Sequence, residues 1–199
     1  MLKSKAKFAF LVIFYIFNFN SISLGDTSSE FINNLTNKAA EILSSDEEKE
    51  TKINQLIKIG EESVDIEGIG LYTLGKYRKN LSGDQIEEYK KIFKEYFLKS
   101  FSRRLVEYND AKIVVISEDI KNEKYTIVNT KLLATTSRPE VAIDWRVYTK
   151  NPVKPLIRDL IIEGLSLART QKEEFNSIIS NNNGDIAALF LSLKKFNDK

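Results

Sequence analysis

Val141-Ala142-Ile143-Asp144-Trp145-Arg146-Val147-Tyr148 alternates: the odd positions carry Val, Ile, Trp and Val, while Asp144 and Arg146 fall on even ones. Successive side chains of a strand point to opposite faces, so this stretch is a strand with one strongly apolar face and one polar face. Its neighbours have the same chemistry. Residues 112–117 and 124–136 are rich in Val, Ile, Thr and Tyr, with residues 118–123 and Ser137-Arg138-Pro139 as turns between them. Residues 156–162 give a fourth strand that alternates less and ends at Glu163-Gly164. The natural reading is an antiparallel sheet with one covered face.

On both sides of the strands the period becomes helical. Phe31, Leu35, Ala39 and Ile42 recur at steps of three and four, and after the polar turn Ser44-Ser45-Asp46 a second amphipathic stretch carries Ile53, Leu56 and Ile57. Ile69-Gly70-Leu71-Tyr72-Thr73-Leu74-Gly75-Lys76-Tyr77 follows, with glycines spaced through apolar residues where they permit close approach of backbone or ligand. It lacks the preceding strand and the Gly-Lys-Ser/Thr ending of a phosphate-cradling loop. Ser82-Gly83-Asp84-Gln85 reads as a capping box and predicts a helix over 85–108. Ile86, Tyr89, Phe93, Tyr96, Phe97, Phe101, Leu105 and Tyr108 make its apolar stripe, which serves equally as core or as the wall of a ligand site. Helices over 165–179 and 185–194 close the chain, separated by Asn181-Asn182-Asn183-Gly184. Helices first and a strand meander later predict an α+β domain, with helices packed on one face of a curved antiparallel sheet of about four strands.

The N-terminus reads as an export signal. Lys3, Lys5 and Lys7 precede an apolar run over 8–19, and Ser23-Leu24-Gly25 supplies a small-residue cleavage site. That run is well short of the roughly 20 residues a spanning helix needs. Residues 1–25 are therefore taken as a signal peptide and 26–199 as a single domain. Removing the three lysines takes the formal charge of the 199-residue chain from +2 to −1. A chain so close to neutral, with Lys and Glu interspersed, lacks the one-sided positive field of a nucleic-acid binder.

The sequence contains no Cys and no His. Disulfides, a lipobox cysteine and the usual ligands of zinc, copper and haem are excluded, as is every Ser-His or Cys-His catalytic arrangement. Asp46-Glu47-Glu48 lacks the spacing of a calcium loop and is expected as a solvated helix start. Ser166, in Gly164-Leu165-Ser166-Leu167-Ala168, resembles a nucleophile elbow without its last glycine or a histidine base; a helix-start hydroxyl is the plain alternative. Ser192 and Lys195 match Ser-x-x-Lys at the end of a terminal helix, without the companion motifs of that enzyme class. Asp144, Asp159 and Glu163 are candidate catalytic carboxylates, but Asp144 and Arg146 share a strand face as an ion pair would, and Asp159 and Glu163 could brace the turn into the next helix.

Four segments in order carry a family resemblance: Leu74-Gly75-Lys76-Tyr77-Arg78-Lys79, Tyr96-Phe97-Leu98-Lys99-Ser100-Phe101-Ser102-Arg103-Arg104-Leu105-Val106-Glu107-Tyr108, Ile143-Asp144-Trp145-Arg146, and Asp159-Leu160-Ile161-Ile162-Glu163-Gly164-Leu165-Ser166-Leu167. Together they resemble the MlaC family, the toluene-tolerance auxiliary components of ABC transport systems, over nearly the whole chain after residue 25. The resemblance implies a periplasmic phospholipid carrier whose apolar cavity lies between sheet and helices and which shuttles between an outer-membrane lipoprotein complex and an inner-membrane MCE-type ABC transporter. It implies no enzyme activity, no metal and no cofactor. Pro155-Leu156-Ile157 departs from the tryptophan and lysine common before the fourth strand, so the resemblance does not fix the shape of the pocket there.

On this basis the expected acyl-chain pocket is lined by Tyr72, Leu74, Phe97, Phe101, Ile143, Trp145, Val147, Leu160 and Ile162. Each is equally at home in a plain core, because cores and lipid pockets use the same residue types. Arg103 and Arg104 are candidates for a phosphate or an acidic docking surface, or are solvated helix-end charges. An α+β enzyme using Asp144 or Glu163, and a small-solute binding protein of an ABC transporter, are the alternatives on the same scaffold.

Overall fold

The computed structural model describes residues 27–108 and 110–199; the expected signal peptide lies outside them. Six α-helices and a five-stranded sheet follow in the order α1 (Ser28–Ser44), α2 (Lys49–Ser63), α3 (Ile66–Thr73), a 3-10 helix (Gly75–Asn80), α4 (Gly83–Leu105), β1 (Ile113–Asn122), β2 (Tyr125–Leu132), β3 (Val141–Tyr148), β4 (Leu156–Ile162), β5 (Leu165–Ser166), α5 (Leu167–Ser180) and α6 (Ile186–Asn197). The strands lie side by side in chain order, every pair antiparallel. The α+β meander expected from sequence is present, with a two-residue fifth strand added.

Local chemistry fixes the element ends. Thr27 and Glu30 form a capping box at α1, and Ser82 with Gln85 forms the expected one at α4, where the Gln85 amide donates to Ser82 Oγ at 3.2 Å and the Ser82 amide donates to Gln85 Oε1 at 3.0 Å. Glu163 and Gly164, at φ 48° and 80°, make the two-residue turn between β4 and β5, with Ile162 paired to Leu165. Two positive φ values in a two-residue loop match the twist of the flanking strands, which is why a glycine is needed there.

The observed elements differ from the expected ones in several places. Residues 118–122 are strand, not turn: β1 runs to Asn122 and reverses at Glu123-Lys124, with the Lys124 amide donating to Asn122 Oδ1 at 2.9 Å. Their polarity reflects an exposed edge strand, since hydrophilic side chains blunt an unpaired edge. The block 69–77 is helix α3 running into the 3-10 helix, with the break at Gly75 (φ 55°). Helix α4 stops at Leu105, short of Tyr108.

Two apolar cores share the interior. The helical core joins α3 to α4, α5 and α6 through Leu74, Tyr89, Phe93, Phe175, Ile179 and Leu189, all nearly inaccessible to water. The sheet core is built on Val128, Leu132, Ile143, Trp145, Val147 and Ile157, with Ile32 of α1 lying on it. In α1 the deepest residue is Ile32 rather than the expected stripe of Phe31 and Leu35, which are half-buried beside it. Val64 packs against both cores and pairs in parallel with Ile157 of β4. The joint between α2 and α3 thus occupies part of the β4 edge.

Candidate functional site

Register explains which face of the sheet is apolar. Val128 pairs with Trp145, which pairs with Leu160, and Thr130 pairs with Ile143, which pairs with Ile162. Paired residues point to the same side, so these positions form two rows across the inner face. Val147 pairs with Ile157 because a bulge after Arg146 makes Arg158 the extra residue. Trp145 is held by its indole: Nε1 donates to Thr130 Oγ1 at 2.9 Å, and Thr130 Oγ1 donates to the Ile143 carbonyl at 2.8 Å. A buried tryptophan needs such a partner for its N–H. Thr130 was not among the sequence candidates, although its place in the alternation Thr126, Val128, Thr130, Leu132 marks the same face.

The structure brings five of the nine expected pocket residues together at the sheet core: Ile143, Trp145 and Val147 are buried there, with Leu160 and Ile162 half-buried against them. Leu74 and Phe97 lie in the helical core, and Phe101 stacks on Phe97 with ring centroids 5.8 Å apart and planes 11° from parallel. Tyr72 stands on the outer surface of α3, 45 % exposed, with Lys172 Nζ 5.0 Å from its ring centroid. Accessibility further divides the set: Leu74 and Val147 are sealed at 1 % and 0 %, whereas Phe97, Phe101, Leu160 and Ile162 keep part of their surface accessible.

The outer face of the sheet is polar and internally paired. Ser117 Oγ donates to Asn129 Oδ1, and Asn129 Nδ2 donates to Asp144 at 2.8 Å, a row of hydrogen bonds across three strands. The expected ion pair between Asp144 and Arg146 does not form: Arg146 Nη1 lies 3.5 Å from Asp159 Oδ2 on the neighbouring strand. Asp159, 3 % exposed, accepts from Ser166 Oγ at 2.6 Å and from the Ala168 amide at 3.0 Å. Ser166 in turn accepts from the Arg169 amide, so serine and aspartate together cap α5. Glu163 Oε1 accepts from the Ala142 amide at 2.5 Å. Each of the three candidate carboxylates is thus engaged in a hydrogen bond that holds an element in place. Arg103 and Arg104 are exposed in the last turn of α4, and Ser192 and Lys195 are exposed on α6.

Among the described residues no group of three acidic side chains could hold a metal ion, and no helix is long and apolar enough to cross a membrane. A surface cleft of about 290 Å³ between the start of α4 and α6, lined by Gln85, Glu88, Ile186, Phe190, Leu191 and Lys194, shares no residue with the expected pocket.

A helical layer with its own aromatic core, laid against the apolar face of an antiparallel meander, defines an α+β scaffold with an apolar interior. A family model described as MlaC protein matches residues 26–195, and the chain belongs to the MlaC family. The fold is similar to that of a phospholipid-binding protein from Ralstonia solanacearum solved in complex with a phospholipid, at a TM-score of 0.72 and 16 % identity, with 87 % of this chain and 98 % of that chain covered. Among curated proteins no sequence match is found.

Proposed function

We propose that this protein is a periplasmic phospholipid carrier, exported by cleavage after residue 25, that moves glycerophospholipid between an outer-membrane lipoprotein complex and an inner-membrane MCE-type ABC transporter. Membership of the MlaC family supports this reading, as does the likeness to a protein crystallised with a phospholipid. The observation that carries it is the division of the interior into two cores, each bordered by half-buried apolar side chains.

Acyl chains inserted between the cores would meet Phe97 and Phe101 of α4 on one side and Ile143, Trp145, Leu160 and Ile162 on the other. Leu74 and Val147, sealed from water, would form the packing behind those walls. Among the described residues only Val64 packs against both cores, so parting them away from that residue exposes apolar surface while leaving most contacts of each in place. Two acyl chains of about 15 methylenes each lose roughly 25 kcal/mol on leaving a bilayer for water, at about 0.8 kcal/mol per CH₂. An apolar cleft returns most of that, so exchange between membrane and protein is nearly balanced and needs no proton transfer, metal or nucleotide. Direction then comes from the energy-coupled partner.

The test is solvent extraction of the exported protein purified from cells, followed by mass spectrometry, together with uptake from labelled vesicles. Near-stoichiometric phospholipid is expected. Repeated recovery of none, with no uptake from vesicles, would overturn the proposal.

A further inference from the structure

The 3-10 helix and the start of α5 hold cations without counter-ions. Lys76, Arg78 and Lys79 are exposed on the 3-10 helix, and Arg169 and Lys172 lie on α5, which packs against α3. Among the described residues none of the five forms an ion pair, which they share with Lys38, Lys58, Arg103 and Arg104 among others. What sets them apart is that they stand together on two packed elements, whereas Lys49, Lys90, Lys94, Lys121 and Lys131 are each paired. Glu173 and Asp84 are the nearest acids in sequence, and neither pairs with them. The chain without residues 1–25 carries a formal charge of −1, so this concentration of positive charge is local.

The arrangement is built. The Lys172 side chain crosses Gly75, where Cε lies 3.0 Å from the position a Cβ would take, and its ammonium lies over the exposed ring of Tyr72. Gly75 therefore serves both the turn, at φ 55°, and the passage of this lysine. Lys76 Nζ is 5.2 Å from the Tyr77 ring, and the Tyr77 hydroxyl meets Ser180 Oγ at 3.3 Å, which ties the 3-10 helix to the end of α5. Cation–π contact positions an ammonium without neutralising it. Six residues of 3-10 helix span about 12 Å at roughly 2 Å each, so the charges spread along a surface and do not converge on one anion. Dispersed cations beside an amphipathic aromatic ring suit the headgroup layer of an anionic bilayer.

We propose that the face made by the 3-10 helix and the side of α5 beside it docks onto anionic phospholipid bilayers, with its basic side chains against the headgroups and Tyr72 at the interface. It shares no residue with the proposed acyl-chain walls, so docking and lipid carriage can fail separately.

The experiment is co-sedimentation of the exported protein with vesicles of phosphatidylcholine alone and of phosphatidylcholine with one third phosphatidylglycerol. Binding to the anionic vesicles is expected at low salt, at least tenfold stronger than to neutral ones, and lost in concentrated NaCl. The variant K76Q/R78Q/K79Q, altered only at exposed positions, should lose at least tenfold of that binding while keeping its extractable lipid. The variant K49Q/K121Q/K131Q, which removes the same charge from paired lysines, should bind like wild type. Equal binding to both vesicle types, equal losses in the two variants, or retention only by an acidic protein surface with none by vesicles would each overturn the proposal.

Discussion

Replacing Gly70 with alanine tests the contact between α3 and α4 that supports the helical core. A Cβ at Gly70 would lie 2.7 Å from Phe93 Cδ1 and 3.2 Å from Cε1 and Cγ. The ring cannot move away easily: Phe93 is 1 % exposed, with the Tyr89, Phe97 and Phe175 ring centroids 5.7, 5.9 and 6.2 Å from its own. Overpacking of this kind costs about 1–3 kcal/mol, while alanine recovers about 0.5–1 kcal/mol of the helix propensity that glycine forfeits. The clash wins, leaving a net loss of roughly 1–2 kcal/mol, or roughly 2–8 °C in Tm for a domain of this size. Gly83, in the first turn of α4, provides the control, since nothing lies within 4 Å of its Cβ position. Gly83→Ala should leave stability unchanged or raise it by up to about 1 kcal/mol. Gly60→Ala should fall between them, because its neighbour at 3.0 Å is the tip of Leu98. Urea unfolding of the three variants, compared at equal m-values, measures the order. Gly70→Ala as stable as wild type, or no worse than Gly83→Ala, would refute the assignment of this glycine to close helix packing.

Other perturbations follow from the same contacts. Asp159→Ala strips acceptors from Ser166 and the Ala168 amide and should cost about 3 kcal/mol, with Asp159→Asn losing about half as much in the same denaturation assay. Burial pushes the Tyr89 phenol above its ordinary range, only partly offset by its hydrogen bond with Thr73, and burial also raises Tyr96, helped by Glu174. The native state then holds these protons after the unfolded chain has released them, so stability should be unaffected below about pH 10 and fall above it, by up to about 1.4 kcal/mol per pH unit for Tyr89. Tyr89→Phe should flatten that alkaline decline as followed by unfolding at stepped pH. Trp145 is the only tryptophan, so vesicles of phospholipid brominated on the acyl chains should quench the protein's emission on uptake; unchanged emission despite confirmed lipid binding would remove Trp145 from the pocket wall.

Periodicity and capping chemistry made much of the fold legible. Val141 to Tyr148 read as a strand with one apolar face, and Ser82 with Gln85 marked the start of α4, because strand alternation and helix caps depend on residues close in sequence. The same locality produced the errors: a polar edge strand looks like a turn when its exposure is unknown, as at 118–122.

What the sequence alone determined was the α+β class and most of the longer elements, the apolar rows they present, the absence of cysteine and histidine chemistry, and the ordered segments that mark the family. Tertiary structure decided which of those rows meet. It sent Arg146 to Asp159 instead of Asp144, turned Asp159 and Ser166 into a cap for α5, and aimed the bulged Arg158 at Asp65, the cap of α3, and at the ring of Tyr148. It also separated Leu74 from Trp145 into different cores and put Tyr72 on the surface beside Lys172. Side-chain pairing across elements depends on strand register and helix placement, which are set by burying the whole apolar surface at once; no short window of sequence contains that information.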